Sequence, residues 1–222
     1  MEDYTKLTII IPAKNESRYI KNIVEACQSS LPGVKIIVVD NNSSDDTFKI
    51  IKQLPGVYPA QELLPGKGSA MKKGLELVQT EFVAFHDADL EYNPADCVKL
   101  FDLLKRNPGA MIVGNRAFTE KSSSWFANKF IQWLLALRWR KFNILKVDIL
   151  SGTRMATTHT FKKLNLKTSD FRIETEINKQ CLRQKISIVT SPVEYNPRTY
   201  REGKKIKPSD IWGLIFCAIS GR

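Results

Sequence analysis

Phe82-Val-Ala-Phe85-His86-Asp87-Ala88-Asp89-Leu90-Glu91 is the stretch on which the fold turns. Its four apolar residues are too short a run for a helix. They read as a strand buried on both faces, the habit of a parallel sheet. The acidic residues that follow then stand at the carboxyl edge, where open α/β sheets bind their ligands. Asp87 and Asp89, with Glu91 two further on, offer hard oxygen ligands for Mg²⁺ or Mn²⁺ carrying a diphosphate. A lone D-x-D also occurs in solvated turns, so the reading leans on its neighbours. His86 reads as a packed residue, since oxygen suits those ions better than imidazole.

Working outward, Thr8-Ile-Ile-Ile11 and Val34-Lys-Ile-Ile-Val-Val39 are further buried strands, and a weaker one lies around Val57, interrupted by Pro59. Helices are expected over 17–30, with Asn15 or Ser17 as cap, after Ser44, over 69–78 and over 94–106. A strand is expected over 110–113. This alternation with short loops predicts parallel strands and right-handed crossovers from residue 7 to about 116. The second half differs. It reads as a tryptophan-rich helix over 125–142, an isolated loop over 148–154, a helix over 171–183, a strand over 186–190 and a basic tail.

The chain has 222 residues, 43% of them hydrophobic, enough for one large α/β domain. Its formal net charge of +11 implies an anionic partner: nucleic acid, a phosphorylated substrate or an anionic membrane face. Cys27, Cys97, Cys181 and Cys217 show no C-x-x-C spacing and read as reduced, buried thiols of a cytosolic protein. The N-terminus shows no signal-peptide pattern, and no apolar run approaches the roughly 20 residues of a spanning helix. A soluble or peripheral protein is expected, cytoplasmic and on the cytoplasmic membrane face if peripheral.

Two further strand ends carry polar residues at the ligand edge: Pro12-Ala13-Lys14-Asn15-Glu16, and Asp40-Asn41-Asn42-Ser43-Ser44-Asp45-Asp46-Thr47. Most of these side chains suit caps and turns. Asp40, closing a buried strand, is also placed to accept hydrogen bonds from a nucleobase or ribose. Gly66-Lys67-Gly68-Ser69 precedes a helix and reads either as a phosphate-side contact or as a plain turn. It is no Walker A loop, because Gln61 stands at the required earlier glycine and Gly68 follows the lysine. Phe126, Phe130, Trp133, Leu134 and Leu137 share one helical face bordered by Lys129, Arg138, Arg140 and Lys141. That face suits a membrane interface, an oligomer contact or the core. Arg198, Arg201, Lys204, Lys205 and Lys207 crowd the tail at a density that suits phosphate neutralisation.

Together these segments resemble the family 2 glycosyltransferases, in the dolichol- or polyprenyl-phosphate mannosyltransferase-like branch. The matching text also includes Gly114-Asn-Arg116, Asp148-Ile-Leu-Ser-Gly-Thr-Arg154, Phe171-Arg-Ile-Glu-Thr-Glu176 and Tyr195-Asn-Pro-Arg-Thr-Tyr-Arg-Glu-Gly-Lys-Lys205, in the family's order. The resemblance implies an α/β, GT-A-type nucleotide-diphosphosugar transferase fold, a mostly parallel sheet flanked by helices. It implies one catalytic domain over 1–197, with 124–143 as a candidate membrane-interface helix, then a basic loop and C-terminal helix over 198–222.

It further implies that Pro12, Ala13, Asn15, Glu16 and Asp40 hold the nucleoside, with Lys67, Asp87, Ala88 and Asp89 on the donor. Asp87, Asp89 and Glu91 are its expected metal ligands. Arg116, Arg154, Arg198 and Lys204 are expected around the donor and acceptor phosphates. Two departures stand out. Asn41 replaces a usual carboxylate, and Ile211 to Ser220 is too short for the spanning helix that several relatives carry.

The expected reaction is inverting transfer from a GDP- or UDP-sugar, with Asp89 at the centre of the cation site. A lipid phosphate acceptor is already ionised near neutrality and needs only Arg116 and Arg154 to position it. A sugar hydroxyl needs a carboxylate base, for which Asp148 and Glu176 are the candidates. The surplus of arginines favours a polyprenyl phosphate. The rivals are a transferase to a glycan hydroxyl and a sugar-nucleotide pyrophosphorylase, whose glycine-rich loop is missing. From another class comes a basic nucleic-acid-binding protein, for which the chain offers no motif.

Overall fold

The protein is described by a computed structural model over residues 3–116, 123–198 and 211–219. Strands β1 (Leu7–Ala13), β2 (Lys35–Asp40), β3 (Val57–Gln61) and β4 (Phe82–Phe85) alternate with helices α1 (Ile20–Ser30), α2 (Thr47–Gln53) and α3 (Lys67–Leu77). Then come α4 (Asp96–Arg106), β5 (Met111–Arg116), α5 (Ser123–Trp139), a short 3-10 turn (Phe142–Lys146), β6 (Arg154–Thr157) and α6 (Thr158–Lys163). Helix α7 (Ile173–Arg183), β7 (Ile188–Val193) and α8 (Ile211–Ile219) complete the chain. The seven strands form one sheet in the order β3-β2-β1-β4-β6-β5-β7. Every pairing is parallel except those of β6, which runs antiparallel to β4 and β5.

The β-branched runs explain the layering. Side chains alternate across a strand. Ile9 and Ile11 therefore pack with Ile20, Ile23, Cys97 and Leu100 on one face. Ile10 points the other way and packs with Met71, Val83, Phe161 and Ile177. Both faces are covered, as a mainly parallel sheet requires. Pro59 is accommodated because β3 is an edge strand. All four cysteines are free and buried, and burial pushes the Cys27 thiol up to about 12.

Several expectations are corrected. The expected loop is present over 148–153, but it leads directly into β6, which together with α6 was not foreseen. Helix α1 starts at Ile20, and neither Asn15 nor Ser17 caps it. Asn15 instead takes a positive φ of 53° and accepts the Ser44 N–H, while Ser17 donates its N–H to Asp45. Helix α2 begins at Thr47, and Asp45 rather than Ser44 accepts the Thr47 N–H. Helix α8 packs on α5 and α7, and Leu214 and Ala218 join the core that holds Ile131 and Ile173. Among the described residues, no helix is long and apolar enough to cross a membrane.

Candidate active site at the carboxyl edge of the sheet

Strands β1, β2 and β4 end side by side, and their last residues lead into the polar segments. Asp87 leaves β4 and turns onto Lys67, whose Nζ lies 2.6 Å from its Oδ1 and 2.6 Å from Glu174. Burial works against charge on Lys67, yet the two carboxylates raise it above its ordinary range. Burial likewise opposes ionisation of Asp87, and Lys67 more than offsets it, holding the carboxyl below its usual range. Gly152 seals this pair from above. A Cβ there would lie 1.9 Å from Asp87 Oδ2, so no larger residue leaves Asp87 in place.

Asp89 lives differently. Burial, then the charges of Asp87 and Glu91, push its carboxyl up to about 7. Its counter-ion is Arg198, whose Nη2 donates at 2.7 Å. The same guanidinium reaches Glu16 through Nη1 at 3.2 Å, and the Arg198 backbone N–H donates to Glu91 at 2.9 Å. Leu90 has a positive φ of 58°, a conformation costly for a non-glycine residue, and it turns Glu91 back toward Asp89. Glu91 also accepts the Tyr195 hydroxyl at 2.9 Å.

As they stand, no three His, Cys, Asp or Glu side chains among the described residues converge closely enough to hold a metal ion. The expected set of Asp87, Asp89 and Glu91 is therefore present but not pre-assembled. Asp87 faces a lysine, while Asp89 and Glu91 face an arginine. The donors nevertheless fit a hard divalent cation. They are all carboxylate oxygens, and a guanidinium already stands among Glu16, Asp89 and Glu91 as a resident cation.

The nucleoside side is equally specific. Asp40 is buried, with Oδ2 accepting from Ser43 N–H and Gln61, and its Oδ1 has no hydrogen-bond partner. Asn41 donates from Nδ2 to the carbonyls of Glu62 and Leu64 and accepts the Gly66 N–H on Oδ1. A carboxylate there could not donate to those carbonyls, which accounts for the departure from Asp. Pro12 and Ala13 close β1 beside Val39 and Asp40. Asn15 ties this turn to the next through Ser43 and Ser44. Ala88 is buried between the two aspartates.

Gly66-Lys67-Gly68-Ser69 is closely packed at both of its glycines. Gly66, at φ 115°, and Gly68 press against the backbone of residues 168–170, where a Cβ would come within 2.2 and 2.5 Å of carbonyl oxygens. The Ser69 N–H is spent on Ser169 O. The motif serves close packing and aims Lys67.

The two arginines fare differently. Arg116 grips Asp148 with Nε at 2.6 Å and Nη2 at 2.9 Å, and lies over the Tyr195 ring at 5.0 Å. Arg154 is fully buried. It donates to the carbonyls of Ser151 and Ile149, so it shapes the 148–153 loop and presents no face to a phosphate. Burial lowers its pKa. Glu176 accepts the N–H groups of Lys167 and Thr168. His86 is buried, with Nδ1 on the Asp87 carbonyl, as a packed residue should be. Lys204 and the other basic residues of the tail beyond Arg198 lie outside the described residues.

Sequence reasoning missed Glu174, Gly152 and Tyr195. Glu174 pairs with a residue 107 positions earlier, and nothing local announces that. Gly152 carried a signal, a glycine facing an acidic pair, that becomes readable only in three dimensions.

Residues 8–170 match the family model described as Glycosyl transferase family 2. The Glycosyltransferase AglJ of Haloferax volcanii is 26% identical over 229 residues, covering 96% of this chain and 71% of that protein. The Dolichol-phosphate mannosyltransferase of Pyrococcus furiosus is 28% identical over 117 residues, covering 50% of this chain and 33% of that one. Among solved structures, glucosyl-3-phosphoglycerate synthase of Mycobacterium tuberculosis, in complex with Mn²⁺, UDP and phosphoglyceric acid, superposes with a TM-score of 0.71 at 20% identity. That match covers 88% of this chain and 72% of that one, and it speaks for the GT-A fold alone.

Proposed function

Because this chain belongs to glycosyl transferase family 2, and is a nucleotide-sugar glycosyltransferase, we propose that it transfers the sugar to a polyprenyl phosphate. One observation carries the choice of acceptor. Asp148 and Glu176, the two carboxylates expected as a base for a hydroxyl, are both engaged elsewhere. A phosphate acceptor is ionised already, with a second pKa of about 6, and needs no base. The named activity of the Pyrococcus furiosus relative points the same way.

A second feature supports a lipid substrate. Helix α5 exposes Phe126, Phe130, Trp133 and Leu137, and α8, packed against it, exposes Trp212 and Phe216. Arg138, Arg140 and Lys141 lie beside this apolar surface, the composition of a peripheral membrane contact.

In this reading the donor is a GDP- or UDP-sugar whose base lies against Asp40, with its unpartnered Oδ1 to accept an N–H. Glu16 and the Pro12 to Asn15 turn line the nucleoside side. Asp89 and Glu91, beside Asp87, would hold Mg²⁺ or Mn²⁺, which supplies Lewis-acid stabilisation of the departing diphosphate. The Mn²⁺ and UDP of the mycobacterial complex support a divalent ion and a uridine donor. Lys67 keeps Asp87 ionised. Arg116, fixed by Asp148 and stacked on Tyr195, lines the acceptor side.

Incubation with a radiolabelled nucleotide sugar, Mn²⁺ and polyprenyl phosphate tests this. Label should enter the organic phase and be lost from it in the Asp89→Asn variant, whose fold should be intact. Label that stays aqueous with lipid phosphate, yet passes to a soluble glycan, would overturn the lipid acceptor.

A further inference from the structure

Arg198 approaches Asp89 and Glu16 from a position 109 and 182 residues further along the chain, and it meets Glu91 through its backbone N–H and, at 3.7 Å, through Nε. Three carboxylates from two separate segments thus converge on one side chain. Its charge is secure, because Asp89 and Glu16 outweigh the effect of burial. Two of those three carboxylates, Asp89 and Glu91, are the ones read above as cation ligands. A guanidinium and a divalent ion cannot share Asp89 Oδ2 at contact distance without strong repulsion.

The geometry points to Arg198 as an exchangeable internal cation: it holds the Asp89 site while the donor is absent and moves to the donor's diphosphate when the metal takes its place. The exchange balances charge. The carboxylates give up one positive group and receive a divalent one. The arginine loses carboxylate partners and gains phosphate oxygens, which a guanidinium binds with two parallel hydrogen bonds. Metal alone must therefore displace Arg198 with nothing to receive it. Metal bound to a nucleoside diphosphate brings the receiver along. Cation and nucleotide binding become cooperative through one side chain.

This inference rests on the reading of Asp89 and Glu91 as cation ligands, and the test separates the two. Mn²⁺ binding to the whole protein is measured by electron paramagnetic resonance, first without nucleotide and then with UDP or GDP. Without nucleotide, Arg198→Met should bind Mn²⁺ at least tenfold more tightly than the wild type. With nucleoside diphosphate the order should reverse.

Glu16→Gln supplies a second, sharper arm if the first variant does not fold. It removes a negative charge from the neighbourhood, so simple electrostatics demands weaker Mn²⁺ binding. Loosening Arg198 demands tighter binding, by severalfold. Unchanged or weaker nucleotide-free affinity in Arg198→Met, or weaker affinity in Glu16→Gln, overturns the exchange. If instead Asp89→Asn leaves Mn²⁺–nucleotide binding of the wild type untouched, the metal reading itself falls.

Discussion

Asp87 and Asp89 stand two residues apart in opposite electrostatic surroundings. Asp87 is clamped between Lys67 and the backbone at Gly152, and its carboxyl is held below the ordinary range. Asp89 shares Arg198 with Glu16 and Glu91, and burial with like charges pushes it up to about 7. One aspartate is a settled anion beside a lysine it shares, among the described residues, with Glu174 alone, and the other is short of positive charge. A pair whose environments drive the two pKa values apart marks a division of labour. In the proposed reading Asp87 belongs to the frame of the site, and Asp89 is the group with capacity for a new ligand.

The difference can be broken from either side. The largest effect should come from Lys67→Met, which strands the buried Glu174 and the half-buried Asp87 without their cation. A loss of about 3–5 kcal/mol is expected in urea unfolding. Arg198→Met should cost about 1–2 kcal/mol, because Asp89 can relieve its own charge by taking up a proton. Equal losses would remove the distinction drawn here. Next is Gly152→Ala, whose methyl meets a carboxylate already fixed by Lys67. About 2–3 kcal/mol is expected, in the upper half of overpacking costs.

A further prediction concerns pH. Unfolded Asp titrates near 3.9, whereas folded Asp89 titrates at about 7. Between those values the native state carries a proton that the unfolded chain lacks. Stability from this group is full below about 4 and is lost as pH rises through 7, and Asp87 acts in the opposite sense at lower pH. Asp89→Asn should therefore gain on the wild type by roughly 2 kcal/mol between pH 5 and pH 7.5 in metal-free thermal melts. A constant difference across that range would contradict the raised pKa.

The smallest stability effect, under about 0.5 kcal/mol, should come from Trp212→Ser with Phe216→Ser, because both side chains are largely exposed. The same double variant should lose at least tenfold in binding to vesicles containing anionic lipid, measured by flotation, while Asp89→Asn binds them normally. Those two surfaces would then be functionally separate as well as spatially distinct.

The sequence was most readable where structure is local. Ile9 to Ile11, Ile36 to Val39 and Phe82 to Phe85 declare buried parallel strands by composition alone, and the polar residues that follow fall at the ligand edge by topology. The family motifs then located Glu16, Asp40, Asp87 and Asp89. What stayed hidden was tertiary. Arg154-Met-Ala-Thr157 is too short and too mixed to announce a strand, and its antiparallel pairing depends on partners far away in the chain. Arginine is rarely buried, so Arg154 read as a phosphate contact when it is an internal brace. Lys67 pointed toward phosphate by motif, whereas Glu174 and Asp87 claim it in space. In each case a long-range charge or hydrogen-bond partner overrode the local cue.

The reversal of β6 has a further consequence. In a purely parallel sheet, only the segments that follow strands reach the ligand edge. Arg154 is the first residue of β6 and pairs with Phe85, the last of β4. The segment that precedes β6 therefore arrives at the same rim and lays Gly152 against Asp87. The two walls of this edge thus come from separate stretches of polypeptide, one before residue 92 and one after residue 147. Grafting the later stretch between related transferases offers a direct way to exchange acceptor preference while the sugar-nucleotide half is kept whole.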